Sequence, residues 1–278
     1  MNFVIGSSGR IGKKLLSNLP INQTLSISRS IYSQWLDINA TDRVSRYFEK
    51  WEGYKVVIYI AAGILDPSES EETHNLVNFI LPRNIIKGTM NLRFKVVAFG
   101  SVMDQFISGG SKNVYYLSKK RLSNFINNLP DKSYILFIKL HTIYGGGPPN
   151  EHMFLGGLIK SLMSRKLFHM TDGNQLREYH HIDDEICAIN KLIDLDINGE
   201  IILSHGKPVS LKNLATNIFS EFKRSDLLVL GGLSQNSSEN FNVIFDPIVD
   251  LIGINFRDTC PGIIEDLKLE FENKGLLK

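Results

Sequence analysis

Three residues of this chain have the side chains and the order needed to pass a proton to a carbonyl: Ser101, Tyr115 and Lys119. Tyr115 and Lys119 stand four apart in Tyr115-Tyr116-Leu117-Ser118-Lys119, a spacing that puts phenol and ammonium on one face of a helix. A tyrosine with a pKa of about 10 is a poor acid or base at neutrality, and a nearby cation brings the phenolate closer to working range. Ser101 ends the run 96–101 (VVAFGS), at the carboxyl end of an expected strand, where open parallel sheets gather their ligand chemistry. Its hydroxyl could orient a substrate carbonyl there, or cap the next turn. A second group addresses phosphate. Gly6, Gly9 and Gly12 follow the first apolar run in 4–12 (VIGSSGRIG), a variant of the dinucleotide fingerprint with two residues before the middle glycine. A Cβ at such a turn blocks approach to the phosphates, while the free N–H groups of the new helix favour the anion. Ser8, Arg10 and Ile11 complete the expected cofactor turn.

These side chains need a scaffold, and apolar runs of strand length alternate with helical stretches as a parallel sheet with crossover helices requires. Strands are expected at 3–5, 24–28, 56–60, 95–99 and 134–140, and helices at 11–19, 74–89 and 117–128, with Pro82 costing the second helix a hydrogen bond and bending it. From Gly145 the sequence GGGPP must be a loop, a mixture of helices, short strands and turns follows, and the polar tract 234–240 reads as a surface loop. The expectation is an α/β protein with a Rossmann-type doubly wound parallel sheet. A dinucleotide-binding lobe occupies 1–145, and a smaller substrate lobe occupies 146–278 with elements around 180–210 returning to the sheet.

Composition excludes several classes. The 278 residues are 43% hydrophobic and carry a net charge of +2 with both signs interspersed, which gives no broad field for nucleic acid or an acidic membrane. The two cysteines, Cys187 and Cys260, have neither metal-knuckle spacing nor the density of a disulfide scaffold, so a reducing cytoplasm is expected. The first apolar run is too short for a signal peptide or a membrane span. The adjacent pair His180-His181 suggests a metal, yet neighbours on an extended segment face opposite ways and no carboxylate or cysteine spacing completes a site. Both are read as structural, no metal is expected, and His141 reads as a hydrogen-bonded buried histidine.

Taken together, the glycine turn followed by serine, tyrosine and lysine resembles the extended short-chain dehydrogenase/reductase family, in particular its nucleotide-sugar epimerases, dehydratases and reductases. The resemblance covers nearly the whole chain. It implies that Asp37 and Ile38 follow a third strand and touch adenine, that Ala61 and Ala62 end the family's fourth strand, and that Asn78 is the usual helix asparagine. Tyr144-Gly145 is similar to the tyrosine-glycine turn after the family's sixth strand, and the segment 172–184 (DGNQLREYHHIDD) brings Arg177 to a substrate diphosphate. Thr142 stands where the substrate-contacting asparagine is common. Val102 and Met103 replace the acidic pair of dehydratases, which disfavours dehydration. At the end of the second strand Arg29 stands where NAD-selective members carry an acid, so NADPH is the expected cofactor and NAD the lesser possibility. The resemblance implies NADPH-dependent reduction of a nucleotide-activated keto sugar, a 4-keto-6-deoxyhexose destined for surface polysaccharide, by a cytoplasmic homodimer paired through the helices at 74–89 and 117–128. The alternatives are an epimerase that keeps its cofactor and a non-catalytic dinucleotide-binding protein.

Overall fold

Short runs dense in valine, isoleucine and phenylalanine pair side by side as the parallel strands β1 (Asn2–Ile5), β2 (Thr24–Ile27), β3 (Val57–Ile60), β4 (Lys95–Ser101) and β5 (Ile135–Leu140). The structure is a computed structural model that describes residues 1–107, 113–234 and 241–273. A sixth strand, Gly199–Ile202, joins the far edge beside β5, so the sheet runs Gly199–Ile202, β5, β4, β3, β1, β2, all parallel. Every residue of β3 and β5 is buried, as unbroken apolar strands are when helices cover both faces. Phe3, Ile58, Val96 and Phe137 of the sheet pack in one core with Val44, Phe48, Leu81, Ile85, Leu122 and Ile126 of the covering helices. Strand order reverses between β1 and β3, which makes their carboxyl ends the switch point where such sheets take ligands.

The helix expected at 117–128 begins earlier, as Val114–Asn127, because the Asn113 side chain accepts the Tyr116 N–H at 3.1 Å and caps it. The helix expected at 74–89 begins at Glu71 under a Ser70 cap, and its disturbance is a π turn, Leu76–Ile80, placed just before Pro82. The wider turn accommodates the N–H that proline lacks and turns Asn78 inward. No strand stands immediately before Asp37. That segment is helical, Arg29–Tyr32 and then Ser33–Trp35, because burying Trp35 against Tyr47 (5.2 Å between ring centres) takes a helical turn and the sequence lacks the alternation of a strand. The family's fourth and sixth strands are consequently the third and fifth here.

By contact density the chain divides into two units, residues 1–140 with 189–203, and residues 141–188 with 204–278. The second has its own core, in which Tyr144, Leu158, Leu214, Ile218, Phe219, Ile263 and Leu267 meet. Its helices include Phe154–Ser164, Leu211–Glu221 and Thr259–Asn273, and its strands are short pairs: Thr142–Tyr144 with Tyr179–His181, Leu176–Arg177 with Val209–Ser210, and Phe168–His169 with Leu228–Val229. Of the tract expected as a surface loop, residues 235–240 lie outside the described residues. Among the described residues no helix is long and apolar enough to cross a membrane.

Candidate active site

The chain leaves β1 through Gly6, whose φ of +83° suits glycine, and enters the helix Arg10–Asn18 at Gly9. Gly6 and Gly12 are required by the protein itself. A Cβ on Gly6 would lie 2.3 Å from the Ala62 backbone nitrogen, and one on Gly12 would lie 2.2 Å from the Gly6 carbonyl oxygen. Gly9 is different, since a Cβ there meets nothing nearer than the Gly6 oxygen at 3.4 Å and its φ of −76° is ordinary. Packing does not call for glycine at this position, whereas a pyrophosphate approaching the helix N-terminus does, and on that ground the turn fits a dinucleotide. Ser8 and Gly9 are exposed, and Arg10 and Ile11 are half-buried, around the same turn. The Ser26 hydroxyl donates to Ser7 at 2.6 Å, so β2 and the exposed Arg29 just past its end are tied to the glycine turn. Asp37 and Ile38 are exposed beyond the helical segment, where their carbonyls accept from Asn84 (2.7 Å) and Arg83 (3.1 Å), and Asp37 pairs with Arg43 at 3.6 Å.

The residues expected to handle the proton meet at the end of β4. Ser101 is buried, its Oγ accepts the Met103 N–H at 3.2 Å, and its hydroxyl hydrogen-bonds to Tyr115. Burial pushes the Tyr115 phenol well above its ordinary pKa, with the Ser101 hydrogen bond pulling the other way. Such a phenol is kept protonated. One helical turn on, Lys119 is 8% exposed and donates to the Phe99 carbonyl at 2.8 Å, and burial brings its ammonium down to about 8 against the opposing pull of Asp104. Asn78 braces the group from the π turn. Its Oδ1 accepts the Ile64 N–H at 2.9 Å, and its Nδ2 donates to the Ile64 carbonyl at 2.9 Å and to Ser118 Oγ at 3.1 Å. Ala61 and Ala62 lie half-buried between this group and the glycine turn.

Two supporting features escaped the reading of the sequence. His74 is buried, with Nε2 on the Asp66 carbonyl at 2.9 Å and its ring edge-on to Tyr115 at 6.4 Å. Asp104 is buried against Lys139 at 3.1 Å, burial raising its carboxyl and Lys139 drawing it back, and Lys139 also meets Glu200 at 3.1 Å. These partners lie far apart in sequence, and no local spacing announces them.

Thr142 and Arg177 belong to the second unit. Thr142 is half-buried and its N–H donates to the Glu178 carbonyl at 3.2 Å. The Arg177 guanidinium is held in place by Gln175 Oε1 at 2.7 Å, its neighbour's carbonyl at 2.8 Å and the face of Phe241 at 4.6 Å. The histidine expectations need correction. His180 is buried and His181 only partly so, as alternation requires, but two carboxylates do flank His180: Glu185 at 2.8 Å and Glu178 at 3.1 Å. His141 is buried as expected, yet its Nε2 has no hydrogen-bond partner.

The family model described as "NAD dependent epimerase/dehydratase family" matches residues 2–202. The chain belongs to this family. Both the glycine turn and the Ser101, Tyr115, Lys119 group fall inside the match, which places the protein among NAD(P)-dependent enzymes of the epimerase and oxidoreductase kind. A search of curated proteins by sequence finds no match. Among solved structures the chain is similar to dTDP-4-dehydrorhamnose reductase from Bacillus anthracis in complex with NADP, at 17% identity and a TM-score of 0.73 with 96% of each chain covered. It is also similar to WbmG of Bordetella bronchiseptica in complex with NAD and UDP (15%, TM-score 0.71, 99% of this chain and 96% of that one). A third neighbour is the dTDP-glucose 4,6-dehydratase DesIV from Streptomyces venezuelae, with NAD and TYD bound (14%, TM-score 0.73, 100% and 99%). These likenesses establish the Rossmann-type fold.

In this family member the buried ammonium has a measurable signature. An unfolded lysine titrates near about 10.4, so between about 8 and that value the unfolded chain holds a proton the folded chain has released. Lys119 therefore makes stability rise with pH across this window, and its penalty is complete below pH 8. Unfolding free energies measured from pH 7 to 10 should show a rising component that Lys119→Met lacks, with the variant the more stable protein at pH 7. A less stable variant with an unchanged slope would reject the buried cation.

Proposed function

We propose that the protein reduces a nucleotide-activated keto sugar, a 4-keto-6-deoxyhexose, with NADPH. The observation that carries this reading is the Ser101 to Tyr115 hydrogen bond at the end of β4, with the phenol held protonated by burial. An epimerase uses the same three residues, and reduction is favoured by Arg29, whose exposed cation suits an exchangeable, phosphate-bearing dinucleotide rather than a permanently held NAD. The glycine turn would hold the pyrophosphate, and the bound nicotinamide would supply a hydride to the carbonyl carbon. Ser101 orients the carbonyl oxygen, and Tyr115 delivers the proton that completes the alcohol. Lys119, one turn along the same helix, holds the ribose hydroxyls. Ala61, Ala62 and Asn78 shape the nicotinamide side, Asp37 and Ile38 the adenine side, and Thr142 and Arg177 serve the nucleotide sugar, Arg177 with a planar donor set that fits a diphosphate. The product is a deoxysugar for surface polysaccharide, made in the cytoplasm by a homodimer paired through the helices expected at 74–89 and 117–128.

Stoichiometry tests the reaction. With a panel of nucleotide-activated 4-keto-6-deoxysugars, one NADPH should be consumed for each product heavier by two hydrogens. An isomer of unchanged mass, formed without loss of NADPH, would assign the protein to epimerisation instead. The cofactor choice is tested at Arg29, exposed at the end of β2 and absent from the acidic pattern of NAD-selective enzymes. A charge-assisted hydrogen bond is worth about 1.5–3 kcal/mol, so Arg29→Ala should erode the preference for NADPH over NADH by about one to two decades. Titrating both cofactors against both proteins checks this, and equal wild-type affinities would remove Arg29 from the role.

A further inference from the structure

The second unit contains a densely charged interior that the proposed reaction does not use. His180, on the strand Tyr179–His181, is fully buried with Nδ1 2.8 Å from Glu185 Oε2 and Nε2 3.1 Å from Glu178 Oε2. Two further imidazoles flank it, His205 at 4.8 Å and His141 at 5.2 Å between ring centres. Glu178 Oε2 lies 3.6 Å from His205 Nδ1 and 3.8 Å from His141 Nε2, and the side chains of His141, Glu178 and His205 are each 6% exposed or less. The rings of Phe256, 4.7 Å from His180, and Phe245, 5.3 Å from His141, pack against the group.

Hydrogen bonds alone leave this interior unbalanced. With a carboxylate oxygen at each nitrogen, His180 is an imidazolium, and two carboxylates share this one cation as their only directly hydrogen-bonded positive charge among the described residues. The Nε2 atoms of His141 and His205 are both buried without a hydrogen-bond partner, and that of His141 is directed at the shared Glu178 oxygen. Glu178, His180 and His205 can each offer one ligating atom within 4.8 Å of the others.

We propose that this cluster binds one divalent transition-metal cation of the zinc class, with Glu178, His180 and His205 as ligands and His141 as the fourth donor. Imidazole nitrogen with one carboxylate oxygen is a donor set that suits zinc, and four such donors fit its tetrahedral preference. Supporting contacts are already built. Glu185 accepts a hydrogen bond from the Nδ1–H of His180 and so leaves Nε2 as the ligating atom, while Ser204 Oγ donates to Glu178 Oε1 at 2.8 Å and the His205 N–H donates to Oε2 at 2.9 Å, holding the carboxylate with one lone pair of Oε2 turned to the metal. On binding, the dication replaces the Nε2 proton of His180, which passes to solvent. The dication then balances the two carboxylates. The Lys207 N–H, now 3.1 Å from His205 Nδ1, yields its place to the metal bond if that nitrogen ligates. The role is structural, because the ligands come from both chain segments that make up the second unit, 141–188 and 204–278.

The test uses the full-length chain with any affinity tag removed, stripped of metal by a chelator and titrated with Co2+ and then Zn2+. The expected result is one equivalent of Co2+ bound with the intense visible bands of a tetrahedral site, displacement of those bands by Zn2+, and a higher thermal midpoint with either metal. His141→Gln, a near-isosteric change, should fold and weaken binding by about 10-fold or more, and His180→Gln should abolish the bands. A wild-type spectrum of the hydrated ion, with no metal retained on dialysis, would overturn the proposal. So would equal binding by the wild type and His180→Gln, which would place the metal elsewhere, while equal binding by His141→Gln would remove His141 as the fourth donor.

Discussion

Tyr115→Phe should lower turnover of the keto sugar by about 100-fold or more, the scale of a lost general acid, while the protein stays folded. The substitution removes one oxygen, the one that hydrogen-bonds to Ser101, and leaves the ring in its contacts with His74 at 6.4 Å and Tyr116 at 5.4 Å. The neighbouring Tyr116→Phe serves as the control. The Asn113 cap starts the helix at Val114 and fixes its register, so that Tyr115 shares a face with the buried Ser118 and Lys119. Single-turnover rates of NADPH oxidation, with thermal midpoints for both variants, separate chemistry from folding. Near-normal turnover in a folded Tyr115→Phe would remove the phenol from the mechanism. Loss confined to Tyr116→Phe would shift the register by one residue.

The features legible in the sequence are those fixed by local rules. The strands announce themselves because β3 and β5 are buried on both sides and read as unbroken apolar runs. The glycine turn is legible because Gly6 and Gly12 are fixed by backbone contacts that no other residue survives. The pair Tyr115 and Lys119 follows from helical spacing. What the sequence hides depends on distant partners. His74 reaches Tyr115 across forty-odd residues, and Lys139 finds Asp104 and Glu200 only once β4, β5 and the strand Gly199–Ile202 are neighbours. The strand expected before Asp37 fails for the same reason, since the burial of Trp35 among aromatic rings is a tertiary demand that local pattern does not show. The histidine pair misleads because only His180 faces inward, and its carboxylates sit at Glu178 and Glu185, outside the spacings by which metal sites are usually read.

Gly9→Ala and Gly12→Ala should fail in opposite ways, although they lie three residues apart in the same turn. A Cβ on Gly12 would stand 2.2 Å from the Gly6 oxygen and 2.8 Å from Ser7 Cα, both main-chain atoms that cannot step aside without reshaping the turn. Overpacking against backbone sets the expected cost at about 3 kcal/mol or more, a large part of the ~5–15 kcal/mol that holds a typical domain folded. At Gly9 the new methyl meets only the Gly6 oxygen at 3.4 Å and the Ala61 oxygen at 4.0 Å, and the φ of −76° is one that alanine adopts freely. Losing a glycine N-cap costs under about 1 kcal/mol, partly offset by the lower entropy of the unfolded alanine chain. With a pyrophosphate held at the helix N-terminus, as proposed, the Gly9 methyl would crowd it, so binding rather than folding should suffer. Chemical denaturation with NADPH fluorescence titration resolves the two effects. Gly12→Ala should unfold at distinctly lower denaturant, and Gly9→Ala should unfold like the wild type while binding NADPH at least about tenfold more weakly. Wild-type affinity in a folded Gly9→Ala would mean that the middle glycine does not face the cofactor, and the phosphate turn would have to be sought elsewhere in the chain.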